Sequence, residues 1–586
     1  MYPRILKIPS SNGTIHEYVR VVESFREGGK VKQRVVADLG RKDVLVEVLP
    51  KLIRLLRGDP AVAGEAPDID ILRAWTWGPV LVVRALFQEL GLWTILDQFL
   101  PRVRRRDDAA QVPYADRAFV LIANRLIRPG SEHGLARWLE TDFVCDRHGR
   151  RFVPCWRRQG RVQVDFQQLQ TWYRTLDGLV AAKSQIEVAL YQRLRDLFSL
   201  RPDLVLYDLT SSYFEGHGPQ DFAKHGYSRD GKPQNVQVVV GLVMVGGWPI
   251  AHHVWEGNRL DVTTVTEVVN DLVRRFAFGR IVFVGDRGMV SDDNLAALQA
   301  DGHGYLVGLR RRRNQEVDAW LRQVDESQWL DCPMGITARE HQPPLRTRVQ
   351  EIDTGAAERR VFVIDSDERR QYEQAKRLQA MQRTRQRLEK VRQRVAAGTL
   401  TRPEHIGAAA ERALRDHHGY RYYRWEIHAG EFRFAEDTER LMAEKRLEGR
   451  YVLATGEKDV DATTAVAWYK QLTEVESNFR SLKDVLSLRP IYHHLERRVK
   501  GHIFVAALAL LVQRLLDKRL DEAGVELSAT HVLQALETVR LVEFKVDANK
   551  RRGVSRASPR ARQVLKALGL TETRPPTPAK GEEEVM

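Results

Sequence analysis

From Leu204 to Leu309 the chain runs through three apolar strand-length segments and then alternates helix with strand, which narrows the possible folds sharply. Leu204–Tyr207, Val236–Val245 and Ile250–Val254 read as strands, with the Gly246-Gly247 break between the last two. Thr263–Phe276 has helical spacing and Ile281–Val284 is a short buried strand. Ser291–Gln299 is a helix with Ser291 as N-cap and Asp292 and Asp293 in its first turn, and Tyr305–Leu309 is a further strand. A meander followed by helix–strand alternation predicts an α/β fold on a sheet of mixed direction. Two of the apolar runs, LVLYD and IVFVGD, end in Asp208 and Asp286. Residues that handle ligands in such sheets lie at the strands' carboxyl ends. One aspartate there is weak evidence, because Asp is common in turns; two in one sheet carry more.

The flanking segments read differently. Residues 16–40 alternate around Gly28-Gly29 as a β-hairpin decorated with Lys and Arg, either to track a phosphate backbone or as a solubilising edge. A linker rich in Gly, Pro and Ala follows at Arg57–Pro67. From Ile69 to about Leu200 the spacing is helical, as in Leu72, Trp75, Val80, Val83, Leu86 and Phe87. Pro129-Gly130-Ser131 makes a helix–turn–helix-like break that suits a DNA groove or, more simply, a helix bundle. Arg310–Arg313 is a block of four arginines. Ser366–Ala397 is a long polar helix whose narrow apolar stripe (Leu378, Met381, Leu388, Val391, Val395) fits one partner helix. Strands resume at Arg421–Ile427, Glu431–Phe434 and Tyr451–Ala454, and a helix begins near Thr463. The closing RPPTPAKGEEEVM reads as disordered.

Lys and Arg number 93 against 78 Asp and Glu, a net charge of +15, and that surplus favours nucleic acid as partner. A chain of 586 residues divides into several domains. Three cysteines exclude a disulfide framework and fit a reducing cytoplasm; Cys145 and Cys155 around His148 match no standard zinc pattern. The N-terminus carries no apolar signal segment, and the apolar run Ile503–Leu516 is shorter than the ~20 residues of a membrane span, so it reads as a buried helix and no membrane is expected.

A third carboxylate joins the two aspartates on the late helix. Tyr469, Glu476 and Lys483 are seven residues apart, about 700° of helix, so each returns within about 20° of one face, whereas Glu474 points elsewhere. Three carboxylates suit Mg²⁺, a hard cation that takes one or two protein carboxylates and keeps waters. Two such ions support in-line displacement at a phosphodiester, with Lys483, Tyr469 and Arg287 as phosphate partners.

At these residues the chain resembles the DDE transposases of bacterial insertion sequences. The closer match is the cut-and-paste branch with a Tyr-(2)-Arg-(3)-Glu-(6)-Lys signature: YKQLTEVESNFRSLK supplies Tyr469, Glu476 and Lys483, with Leu472 in place of the arginine and Arg480 as a substitute for it. YDLTSSYFEG around Asp208, GYSRDGKPQ at 226–234, WEGNRLD at 255–261, VGDRGMVS around Asp286 and the N-terminal VESFREGGKVKQRVVADLG carry the same resemblance.

The resemblance implies a ribonuclease-H-like core interrupted by a large insertion, with Asp208, Asp286 and Glu476 catalytic and metal-binding. The chain then divides into a β-hairpin domain at 1–56, a helical DNA-binding or dimerisation region at 69–200, the leading portion of the catalytic core at 201–310, a β-rich insertion at 311–455 with its long helix at 366–397, the trailing portion of the core at 456–520, and a C-terminal helical region with a disordered tail at 521–586. It implies two Mg²⁺ ions, with Mn²⁺ able to substitute. The reactions are cleavage at terminal inverted repeats and joining of 3′-OH ends to target DNA, by way of a hairpin intermediate. A homodimer is expected, since two ends must be paired, in the bacterial cytoplasm at the nucleoid. In relatives the insertion holds a flipped base, which makes Trp425, Tyr422 and Tyr423 stacking candidates, although YRYYRW also reads as ordinary strand packing. The rival readings are a silent DNA-binding relic or repressor, and a host nuclease of the same fold.

Overall fold

The computed structural model describes residues 1–9, 15–28, 30–56, 69–101, 112–153, 157–158, 161–162, 166–286, 289, 291–309, 314–332, 345–355, 359–428, 430–546, 549–578 and 584–585. They form two compact units: Met1–Trp75 with Arg540–Arg556, and Thr76–Val539 with Ala557–Met586.

In the smaller unit, Ile15–Glu27 and Lys30–Arg41 pair antiparallel across a turn where Gly28 has φ of +60°, a value that favours glycine. Tyr2–Pro9 adds a third strand, and Lys42–Leu56 is a helix. The linker at 57–67 and Gly29 lie outside the described residues. Two expectations are corrected here. Ile69–Thr76 is a strand, not the start of a helix, and it pairs with Arg540–Val546, which pairs in turn with Asn549–Val554. Its pairing partner lies hundreds of residues away, so the three-residue step from Leu72 to Trp75 misled. By the same pairing the C-terminal region contains a hairpin and is not purely helical.

The larger unit is mixed α/β on a nine-stranded sheet. Its strand order is Trp248–Glu256, Gln237–Val245, Leu204–Tyr213, Val282–Gly285, Gly304–Gly308, Arg450–Thr455, Arg360–Ser366, Thr347–Ile352, Leu330–Asp331. Leu204–Tyr213, Val282–Gly285 and Gly304–Gly308 run parallel, and the other neighbours are antiparallel. Val205, Tyr207 and Leu209 point into a core shared with the helices Val265–Phe276, Asp292–Ala300 and Gln315–Arg322. The opposite face is covered by the helix Leu472–Arg480. Helix Tyr114–Ile127 is buried from Ala115 to Leu126, and it packs with Phe166–Ala181 and Glu496–Glu522, so the segment before the Pro129 break belongs to a bundle. Glu496–Glu522 is long and apolar enough to cross a membrane, but 83% of its most apolar stretch is buried inside the protein.

The insertion differs from expectation. Helix predominates over strand in residues 311–455, and the strands Leu330–Asp331, Thr347–Ile352, Arg360–Ser366 and Arg450–Thr455 extend the central sheet, so they are not a separate β domain. Helices Asp367–Ala396 and Pro403–Arg415 pack with the hairpin Tyr423–His428/Glu431–Glu436 around a core of their own. On the long helix Met381, Leu388 and Val391 are buried as the stripe predicts, but Leu378 is exposed, and Arg377 is buried against Glu448 at 2.6 Å. Thr573 O, just before the tail, accepts from Trp77 Nε1 at 2.7 Å, and within the tail Glu584–Val585 pairs parallel with Arg151–Phe152. Arg310–Arg313 and Cys155 lie outside the described residues, and burial pushes the Cys145 thiol up to about 12.

Candidate catalytic site

Asp208 sits in the interior of a ten-residue strand, not at its end, because the apolar run LVLY continues as strand through LTSSY. It lies opposite Leu242, on the face that alternates away from the Val205–Tyr207–Leu209 core. Its Oδ1 accepts from the Leu209 backbone N–H at 2.7 Å. Asp286 directly follows Val282–Gly285, at the carboxyl end of the neighbouring parallel strand. Its Oδ1 accepts from the Tyr469 hydroxyl at 3.1 Å.

Glu476 is carried by Leu472–Arg480, packed on the Asp208 strand. Val475 and Phe479 are buried and Asn478 Nδ2 reaches Met244 Sδ at 3.0 Å, which leaves Glu476 on the exposed side. Glu474 instead stands 3.8 Å from Arg514. The segment is not one helix: Ala462–Lys470 ends at Gln471, and Ser481–Val485 is a π turn with five-residue spacing. The seven-residue phase argument therefore does not carry across from Tyr469 to Lys483.

Electrostatics link the three acids. Burial, opposed by the Leu209 N–H, and the negative charges of Asp286 and Glu476, opposed by Arg229, push the Asp208 carboxyl up to about 7. A divalent cation held here would offset both the burial and the repulsion that raise Asp208. The donors are all carboxylate oxygens, the chemistry that Mg²⁺ and Mn²⁺ prefer.

The remaining predicted residues fall in varied surroundings. Lys483 is nearly buried and its Nζ bonds Asp230 Oδ1 at 2.7 Å. Leu472 is buried, and Arg480 is exposed at the end of the Glu476 helix. Arg287 lies outside the described residues. Tyr422 and Tyr423 are buried in the insertion's core, whereas Trp425 lines a groove of about 490 Å³ with Arg392, Arg424, Arg433 and Phe434. GYSRDGKPQ and WEGNRLD mark the resemblance in sequence, but nothing in them points to a role for any one residue. In the fold, Arg229 bonds both oxygens of Asp261, at 2.7 and 2.6 Å, and Asp230 pairs with Lys483 and Arg489.

Residues 200–512, more than half of the chain, match the family model for the transposase DDE domain. The chain belongs to the DDE transposases of insertion sequences. The transposase also matches the IS1634 family transposase N-terminal domain over residues 5–66. It is an enzyme that acts on DNA, and its domain family generally uses divalent metal ions. No curated protein matches the chain. Among solved structures, a piggyBac transposase synaptic complex with hairpin DNA aligns at 10% identity and a TM-score of 0.37, over 79% of this chain and 80% of that one, a likeness too low to carry an argument.

A second titratable cluster involves none of these acids. Glu132, His493 and His502 bring ligand atoms within 4.8 Å of one another, the one such trio among the described residues. Arg125 Nη2 lies 3.2 Å from His502 Nδ1 and Leu488 O lies 3.2 Å from Nε2. A guanidinium only donates, so Nδ1 accepts and Nε2 carries the proton. Both ring nitrogens are engaged beside a fixed positive charge, which disfavours a metal. Burial alone would raise the Glu132 carboxyl, but His493, His502 and Arg125 pull it down to about 2. The cluster is a polar network in which Glu132 and Arg125 carry the charge and His502 is neutral.

Proposed function

We propose that Asp208, Asp286 and Glu476 hold two Mg²⁺ ions, with Mn²⁺ as a substitute, in a transposase that cleaves insertion-sequence ends and joins their 3′-OH groups to target DNA. The observation that carries the reading is the placement of Asp208 and Asp286 on neighbouring parallel strands with the Glu476 helix packed on the Asp208 strand, together with an Asp208 carboxyl raised by burial and by the other two acids. When bound, the ions would supply water activation and charge stabilisation at the scissile phosphate. The chain's own residues do the positioning. The Tyr469 hydroxyl orients Asp286, the Leu209 N–H orients Asp208, and the helix packed on the Asp208 strand carries Glu476 on its exposed side. Every step is phosphoryl transfer, so one site can serve them all.

A ribonuclease-H-like core is supported by the sheet, in which the first five core strands lie in the order third, second, first, fourth, fifth, with the first, fourth and fifth parallel. A hairpin intermediate rests on the resemblance of YKQLTEVESNFRSLK to the Tyr-Arg-Glu-Lys signature. In this reading Trp425, partly exposed in a groove with three arginines, stacks a base while the arginines meet phosphates, and Arg480 and Arg287 are the further DNA contacts; Lys483, nearly buried on Asp230, is not free to meet a phosphate. Two ends must be held together, so the working form is a homodimer, acting at the nucleoid in the bacterial cytoplasm.

The test is cleavage of labelled duplex carrying the element's terminal repeat in Mg²⁺. The proposal expects nicks with free 3′-OH ends followed by strand-transfer products, none of them with Asp286→Ala. An Asp286→Ala protein that still cleaves sinks the proposal; binding without cutting would favour the silent relic, and cutting without strand transfer a host nuclease.

A further inference from the structure

The loop at 226–234 makes two kinds of connection that no motif accounts for. Toward the sheet, the Arg229 N–H donates to Ser211 Oγ at 3.1 Å, three residues beyond Asp208 and roughly 10 Å along the same strand. Toward the Glu476 segment, Asp230 accepts at one oxygen, Oδ1, from both Lys483 and Arg489. The Asp230 side chain is only 2% exposed, and its Oδ2 is buried with no hydrogen-bond partner. Arg489 donates its other nitrogen to Asp484 at 2.8 Å. Two residues on, the Ile491 N–H donates to Tyr213 O at 3.0 Å and its carbonyl accepts from Glu215 at 3.1 Å, returning to the end of the Asp208 strand. The contacts form a ring: strand, loop, Asp230, the turn after Glu476, Ile491, strand.

We propose that Asp230 is a positioning residue that locks the segment carrying Glu476 to the strand carrying Asp208, and thereby sets whether Glu476 can share a cation with Asp208. The inference rests on the metal-site reading above. A carboxylate buried this deeply contributes nothing to DNA directly, and with two cations on a single oxygen it is a geometric pin. The pin holds Lys483 inside the π turn at Ser481–Val485 and Arg489 just beyond it, so it fixes the irregular turn that follows Glu476. Lys483 acts here as a strut of the ring.

The test counts ions, not turnover. Mn²⁺ is titrated by electron paramagnetic resonance into the full-length protein bound to terminal-repeat duplex, for wild type, Asp208→Ala, Asp230→Asn and Asp230→Glu. Asp230→Glu keeps the charge and moves the pin by one methylene, so it carries the test if Asp230→Asn fails to fold. Wild type should bind two ions, and Asp208→Ala should lose both or all but one. The Asp230 variants should bind one ion as wild type does and the other at least tenfold more weakly, with duplex affinity within twofold of wild type. Two ions held normally in both Asp230 variants would overturn this inference alone, and a wild type that binds no Mn²⁺ would overturn it together with the metal-site reading. Duplex affinity that drops tenfold while ion binding is unchanged would assign the ring to phosphate contact and also overturn it.

Discussion

Replacing Asp208 by Asn should give a protein that is dead in cleavage yet more stable than wild type in the absence of metal. The Asp208 carboxyl stands at about 7 in the fold against an ordinary 3.8. A displacement of roughly three pH units corresponds to about 4 kcal/mol at full strength. Asp208 is partly exposed, so screening by solvent reduces this to about 2 kcal/mol. Asn is isosteric and its Oδ1 still accepts from the Leu209 N–H, so no native contact is lost. The sign follows from proton binding. Between about pH 4 and pH 7 the folded chain keeps a proton that the unfolded chain has released, so wild-type stability falls as pH rises through that window. The neutral Asn escapes the penalty. Its advantage is therefore complete above about pH 7, shrinks as pH falls, and vanishes below about pH 4. Spread over the larger unit, about 2 kcal/mol corresponds to roughly 2 °C in Tm. Scanning calorimetry in EDTA at pH 8, 6 and 4 reads this directly. An Asn variant that melts below wild type at pH 8, or whose gain is the same at all three pH values, refutes the reasoning.

Tyr469→Phe removes the hydroxyl that donates to Asp286 and should lower the cleavage rate about tenfold with Tm unchanged within a degree; a rate equal to wild type would show the contact idle. Glu448→Gln strands the buried Arg377 guanidinium and should cost about 3 kcal/mol in urea unfolding, against under 1 for an exposed pair such as Arg433–Glu431. The aromatics of YRYYRW should separate: Tyr422→Ala destabilises the insertion's core by about 3 kcal/mol, whereas Trp425→Ala, at the edge of that core, destabilises it less and weakens end-DNA binding about tenfold, as a titration by fluorescence anisotropy would show.

The alternation from Leu204 to Leu309 was legible because its strands are apolar runs long enough to be buried on both faces. Asp286 was placed correctly at a strand end for the same reason. Asp208 was not, since the apolar run stops at Tyr207 and the polar Thr210, Ser211 and Ser212 become strand only through pairing with Gln237–Val245. Long-range pairing also hid the Ile69–Thr76 strand and the sheet-extending strands of the insertion, whose partners lie far away in the chain. Helix phase selected Glu476 over Glu474, but the break at Gln471 and the π turn at Ser481–Val485 have no residue signature that periodicity detects. Asp230 was invisible as an anchor. A polar residue in a Gly-rich loop reads as exposed, and only the fold brings Lys483 and Arg489 onto it.

The central claim is that these carboxylates bind the metal that cleaves DNA, and Asp286→Cys tests it most directly. A thiolate is a poor ligand for Mg²⁺ and a better one for the softer Mn²⁺. Assayed on labelled terminal-repeat duplex, the Cys protein should be inactive in Mg²⁺ and regain cleavage in Mn²⁺, while wild type cuts in both. A Cys protein that cuts as well as wild type in Mg²⁺, or that binds the duplex and stays inactive in both metals, contradicts the account.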